Sequence, residues 1–179
     1  GWGTQLSGLA EKLIWADRRV AARLSPTLES LASELETELG KTFGNPTAMI
    51  RLDASHRAAA VTTLAAAFQD DPAMVHMLPD AATRPARLIR LMRWFFDDHL
   101  KQGVILGTPG AEAVTLWRAP GKIHASEPLW HPGALRFVAI FGLNLPRALR
   151  TDAGIHAHLP EGESWFYLKL AGVRPDCQG

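Results

Sequence analysis

A chain of 179 residues, 47% hydrophobic and 21% charged, holds enough apolar residues for one domain with a real core, and it is neither disordered nor fibrous in composition. A formal net charge of +1 gives no global field for nucleic acid or an anionic membrane, and no run reaches the roughly 18 apolar residues that span a bilayer. A single cysteine, Cys177, excludes an intramolecular disulfide and any cysteine metal cluster, and it suits a reducing, cytoplasmic setting; no signal peptide is expected either.

The first 43 residues carry two apolar stripes at helical spacing, Leu6, Leu9, Leu13 and Val20, then Leu28, Leu31, Leu35 and Leu39. Between them "LSPTLE" supplies Ser25 as a cap and Pro26 for a first turn, and Gly40 is placed to end the second helix. The expectation is a helical hairpin extension over residues 1–46, whose stripes must pack on each other, on the main domain or on a second copy. "GNPT" at 44–47 then reads as a linker.

From residue 47 the pattern becomes mixed α and β. "AMIRLD" at 48–53 reads as a strand, and Ser55 is a candidate cap for a helix with Val61, Leu64, Ala65 and Phe68 on one face. "QDDP" breaks that helix, since the residue before Pro72 is biased away from helical geometry. A second helix is expected over 83–100 with Leu88, Leu91, Met92, Phe95 and His99 inward. Arg84, Arg87, Arg90 and Arg93 fall at helical spacing and read as its solvated face. "GVILG" and "AEAVTLWRA" read as two strands around the turn "TPG". The segment from "LWHPGALRF" to "LPRALR" has helical apolar spacing and is expected to break at Pro146. "ESWFYLKLAGV" at 163–173, rich in aromatic and branched residues, reads as a central strand. The fold class implied is α/β (α+β), a mixed sheet flanked by helices.

The run "WFYLKLAGVRPDCQG" resembles the central strand and following turn of the GNAT superfamily of N-acetyltransferases. In that family an apolar strand ending in Gly-Val or Ala-Val leads through a Pro-containing turn into Gln/Arg-x-x-Gly-x-Gly/Ala; Gln178 matches the first position of that loop and Gly179 the next. "LAAAFQDDP", "AVTLWRAPG", "LPRALR" and "HLPEGESWFYLKLAGVRP" resemble the puromycin N-acetyltransferase-like branch. The resemblance covers about residues 48–179 and not the hairpin.

The resemblance implies acetyl-CoA as cosubstrate and a small-molecule primary amine as acceptor, with direct attack of the amine on the thioester. It places the pantetheine arm along the backbone of Leu170, Ala171, Gly172 and Val173, and the pyrophosphate at a loop beginning with Gln178 and Gly179. Glycine-rich turns that open a helix suit a pyrophosphate because they aim several backbone N–H groups at one spot. The loop's later glycines, a fifth strand and a C-terminal element with a tyrosine acid fall past Gly179. The C-terminal part of the domain is thus absent from the chain, the natural protein is expected to continue, and a chain ending at Gly179 is expected to bind coenzyme A poorly.

Amine acetylation needs a group to take the amine's proton and a donor for the oxyanion. Glu163, with Glu161 as the alternative, is the candidate base near the start of the strand; either serves equally as a solvated carboxylate. Tyr167, on one face with Trp165 and Lys169, is a candidate catalytic or wall residue. Asp70 and Asp71 border the acceptor region in the family and are candidates for attracting an amine, together with Trp165 on the wall; as loop aspartates they need no such role. His156 and His158 in "HAH" have the alternation that puts two imidazoles on one side of a strand, yet no metal site is expected. A second reading is a non-catalytic, GNAT-like scaffold, an interaction module in which the hairpin or the exposed strand edge drives a homo-oligomer.

Overall fold

A computed structural model describes residues 30, 33, 37, 49–120, 122, 134–159 and 166–178. Ser30, Ser33 and Thr37 are helical, and Thr37 Oγ1 donates to the Ser33 carbonyl at 2.8 Å. The hairpin as a whole, with its two leucine stripes and "GNPT", lies outside the described residues.

Among the described residues four antiparallel strands form one sheet in the order β1-β2-β3-β4: β1 Ile50–Arg51, β2 Gly103–Gly107, β3 Ala113–Arg118 and β4 Tyr167–Val173. The fold is therefore mixed α and β. Among the described residues β4 pairs only with β3, which leaves its other edge exposed, as expected of this chain. β2 is buried at every position, which explains why "GVILG" reads as an unbroken apolar run. Its alternating side chains feed two cores. Ile105 joins the large core under the helices, and Val104 and Leu106 join a small cluster with Trp117, Ala119 and Phe166 on the other face.

Helix α1, Arg57–Ala67, follows a single 3-10 turn, Ala54–His56. Asp53, not Ser55, is the cap. Its carboxylate accepts from the Ser55 backbone at 2.8 Å, while His56 Nδ1 reaches back to the Asp53 N–H at 3.3 Å. A six-residue helix absent from the sequence reading, α2, Pro72–Met77, comes next. Pro72 indeed cannot prolong α1, but with no N–H to lose it starts a new helix capped by Asp71.

The longest helix among the described residues, α3, Arg84–Gln102, buries Leu88, Leu91, Met92, Phe96, Asp98 and His99. Its arginines divide. Arg90 and Arg93 are exposed as expected. Arg84 is buried and donates to the carbonyls of Leu78, Pro79 and Gln69, so it ties the preceding loop to the helix. Arg57 and Asp97 clasp α1 to α3 through two bonds of 2.7 and 2.6 Å. α3 runs straight into β2 at Gly103, where a Cβ would lie 2.0 Å from the Trp117 carbonyl oxygen, so only glycine fits the junction.

Helix α4, Ala134–Phe141, and helix α5, Leu145–His156, cover the same face of the sheet. The expected break at Pro146 falls instead at Gly142–Asn144, where Gly142 adopts φ +53°, and Pro146 sits in the first turn of α5. Arg87 caps the end of α4 by donating to the Ile140 and Phe141 carbonyls. His156 ends α5 and His158 sits in the turn beyond it, so "HAH" is not a strand. Short-range alternation was mimicked there by a helix end.

β3 and β4 pair with a bulge. Leu116 faces Leu170 and Trp117 faces Leu168, leaving Lys169 as the extra residue. Tyr167, Lys169 and Leu170 consequently all reach the helix side of the sheet. Among the described residues no helix is long and apolar enough to cross a membrane.

Candidate functional site

A cavity of about 490 Å³ lies between the helices and the end of the β3–β4 pair. Its body is apolar. Trp94 and Phe95 of α3 meet at 4.9 Å between ring centroids, and Trp94 packs edge-on against Phe137 of α4 at 4.6 Å. Met74 and Met77 of α2 and Ile155 of α5 add flexible aliphatic surface. An apolar chamber with a few convergent polar groups is the usual form of a small-molecule site.

The polar groups fall into two sets. At the floor, Asp98 of α3 pairs through Oδ2 with Nη2 of Arg118 on β3, both side chains being less than a tenth exposed. Gln102 Nε2 donates to Asp98 Oδ1 at 2.9 Å. Next to them His99 is fully buried, and its Nδ1 donates to the Phe95 carbonyl at 2.7 Å. That bond fixes the tautomer with the lone pair on Nε2, which has no hydrogen-bond partner among the described residues. Burial first, and then the Arg118 charge, push the His99 imidazole down to about 4, so it is neutral near pH 7.

At the rim, Asp152 of α5 lies 3.4 Å from Lys169 Nζ and 3.3 Å from His156 Nδ1. His156 Nδ1 also donates to the Asp152 carbonyl at 2.9 Å. Lys169, only 14% exposed, hangs over the rings of Phe95 and Tyr167 at 5.7 and 6.0 Å from their centroids. Tyr167 is half-buried, and burial followed by the nearby Asp152 charge raises its phenol above the ordinary range.

The residues singled out from the sequence divide between this cavity and other places. Tyr167, Leu170 and Asp71 line the cavity, although the Asp71 carboxylate is occupied at 3.0 Å by the Ala73 and Met74 N–H groups as the α2 cap. Asp70 is turned to solvent, with Arg84 at 3.9 Å. Gly172 packs on α1, where a Cβ would come within 3.1 Å of Ala67 and Leu64 side-chain carbons, while Ala171 and Val173 are exposed. Gln178 Nε2 donates to the Val173 carbonyl at 2.8 Å, so that carbonyl already has a partner. Cys177 is exposed on a 3-10 turn, Pro175–Cys177, with Arg174 Nη2 3.3 Å from its sulfur. Glu161, Glu163, Trp165 and Gly179 lie outside the described residues.

Five polar residues of the cavity escape the sequence reading as site members: Asp98, Arg118, Thr151, Asp152 and His156 in that role. Asp98 did carry a signal, since it stands three and seven residues after Phe95 and Leu91 on the inward face of α3. Among the described residues no group of three His, Cys, Asp or Glu side chains could hold a metal ion. No protein-family model matches the chain, and no curated protein matches it.

Proposed function

We propose that this chain is an acetyl-CoA-dependent N-acetyltransferase of the GNAT type, which moves acetyl to the primary amine of a small molecule by direct attack. The observation that supports this most is the meeting of the cavity with β4. The cavity is closed on one side by Tyr167, Lys169 and Leu170, the same strand whose sequence resembles the family's cofactor strand. On its outer edge β4 has no strand partner among the described residues, so its outward backbone groups suit an extended arm added like a further strand.

In this reading the pantetheine arm follows Leu170, Ala171 and Gly172, and at Val173 it meets a carbonyl that Gln178 must release or share. The pyrophosphate lies beyond, at the loop that Gln178 and Gly179 begin. The acceptor enters the aromatic cavity, whose lining favours an amine carried on an apolar body. Glu163 remains a candidate base, Trp165 and Tyr167 candidate wall residues, and Asp70 and Asp71 candidate attractors of the amine at the α1–α2 turn.

Calorimetry tests this with acetyl-CoA titrated into the protein, followed by thiol release with a panel of apolar primary amines. The protein is expected to bind acetyl-CoA and to release thiol with at least one of these amines. Absence of both binding and thiol release would overturn the reading.

A further inference from the structure

Resting on the reading that the acceptor enters this cavity, we infer that the rim between α5 and β4 is its ammonium site. Asp152 receives the charge, with the rings of Phe95 and Tyr167 beside it. The ligand that fits is a primary amine joined by a short aliphatic link to an aromatic or similarly flat apolar body. Elimination among the carboxylates leads to Asp152. Three aspartates line the cavity, Asp71, Asp98 and Asp152, and Asp70 is outside that lining. Asp71 is taken up by the first N–H groups of α2, and Asp98 is buried against Arg118. Asp152 is half-exposed, with Lys169 Nζ at 3.4 Å and His156 Nδ1 at 3.3 Å. Both distances exceed the roughly 2.7–2.9 Å of a tight charge-assisted bond, so this carboxylate can take a further donor.

The protein's own lysine shows what the rim holds. Lys169 sets an ammonium between the Asp152 carboxylate and the faces of Phe95 and Tyr167, at 5.7 and 6.0 Å from their centroids. A carboxylate flanked by aromatic faces is the set of groups that recognises an alkylammonium. A primary alkylamine is in that form near pH 7. The lysine's own pair is of the weak, half-exposed kind, and its flexible stem can carry the charge out to water. A ligand ammonium has an advantage that the lysine lacks. It is tied to a body whose burial in the cavity adds binding free energy of its own, so the ligand displaces Lys169 from Asp152.

The rest of the lining agrees with this occupant. Its charged side chains are three aspartates against one arginine and one lysine, with His156 turned to Asp152, an excess that favours a cation. Behind the rim Trp94 packs edge-on against Phe137, and Met74 and Met77 add pliable surface for a flat body. A volume of about 490 Å³ leaves room for two fused rings.

The test is calorimetry near pH 7 without acetyl-CoA, with naphthylethylamine as the probe and naphthylethanol as its uncharged counterpart. Wild type is expected to prefer the amine by about tenfold. Asp152→Asn is expected to remove most of that preference while the alcohol loses less than about twofold. Lys169→Met, which takes away the competing cation, is expected to tighten the amine by about threefold or more and to shift the alcohol by less than about twofold. The alcohol reports whether the cavity survives each change. Should Asp152→Asn lose the alcohol as well, the direction of the Lys169→Met effect decides. The site is overturned if wild type binds neither probe or both equally, if Asp152→Asn keeps the preference, or if Lys169→Met weakens the amine. A preference lost in Asp71→Asn and kept in Asp152→Asn also overturns it, and moves the charge to the start of α2. None of these readouts uses acetyl-CoA, so a failure here is distinct from failure of the acetylation reading, which is judged by acetyl-CoA binding and thiol release.

Discussion

The cavity is flanked by two assemblies made of the same parts. At the floor His99 adjoins Asp98, which pairs with Arg118; at the rim His156 adjoins Asp152, which pairs with Lys169. Both histidines donate Nδ1–H to the carbonyl four residues back on their own helix. Solvent access separates them. The floor is sealed beneath α3 and β3, while the Asp152 side chain is 52% exposed. Similar groups thus form a sealed tie in one place and a half-exposed cluster in the other, and burial makes the difference.

The largest effect expected from that difference is at the floor. Asp98→Ala leaves the Arg118 guanidinium buried without its counter-charge, at a cost of about 3–5 kcal/mol. Replacing both, as Asp98→Leu with Arg118→Met, is expected to recover most of that loss, because it is the uncompensated charge that destabilises. Urea unfolding of wild type and the two variants measures this. A loss in Asp98→Ala of under about 1 kcal/mol, typical of an exposed pair, would erase the distinction between floor and rim.

The next effect is a pH dependence that belongs to the floor. His99 titrates near 6.5 when unfolded and at about 4 when folded, so between those values the unfolded chain binds more protons. Stability is therefore full above about pH 6.5 and declines as pH falls toward 4, by about 3 kcal/mol in all. Unfolding free energy measured at steps through that window is expected to show the decline, and His99→Gln to remove it. A flat profile in wild type would mean that water reaches the ring.

How much of this is legible in the sequence follows from how local each cause is. Periodicity suffices for α3, because Leu88, Leu91, Met92 and His99 are buried by the spacing of one helix alone. The β2–β3 pair is equally plain, two apolar runs around "TPG". Asp71–Pro72 is ambiguous, since the same dipeptide that ends α1 also caps and starts α2. Alternation correctly sets Lys169 on the face of Tyr167, but the bulge that brings Leu170 to that face depends on its pairing with β3. Asp98 and Arg118 meet only because β2 folds back between them, and Asp152 reaches Lys169 from another element. The site's polar groups are products of topology, and single-segment patterns do not contain them.

The smallest effect sharpens the comparison from the rim. Lys169→Met removes the partner of Asp152, and if the two assemblies were alike it should cost as much as Asp98→Ala. It is expected to cost under about 1 kcal/mol. Asp152 stays half in water and keeps its contact to His156 at 3.3 Å, so no charge is stranded by the change. The methionine side chain can still lie across Phe95 and Tyr167, which preserves the packing that the lysine stem supplies. The same urea experiment reads this value, and raising the salt should shrink it further in wild type, since an exposed pair is screened where a buried one is not. A loss comparable to that of Asp98→Ala would show that the rim is as closed as the floor.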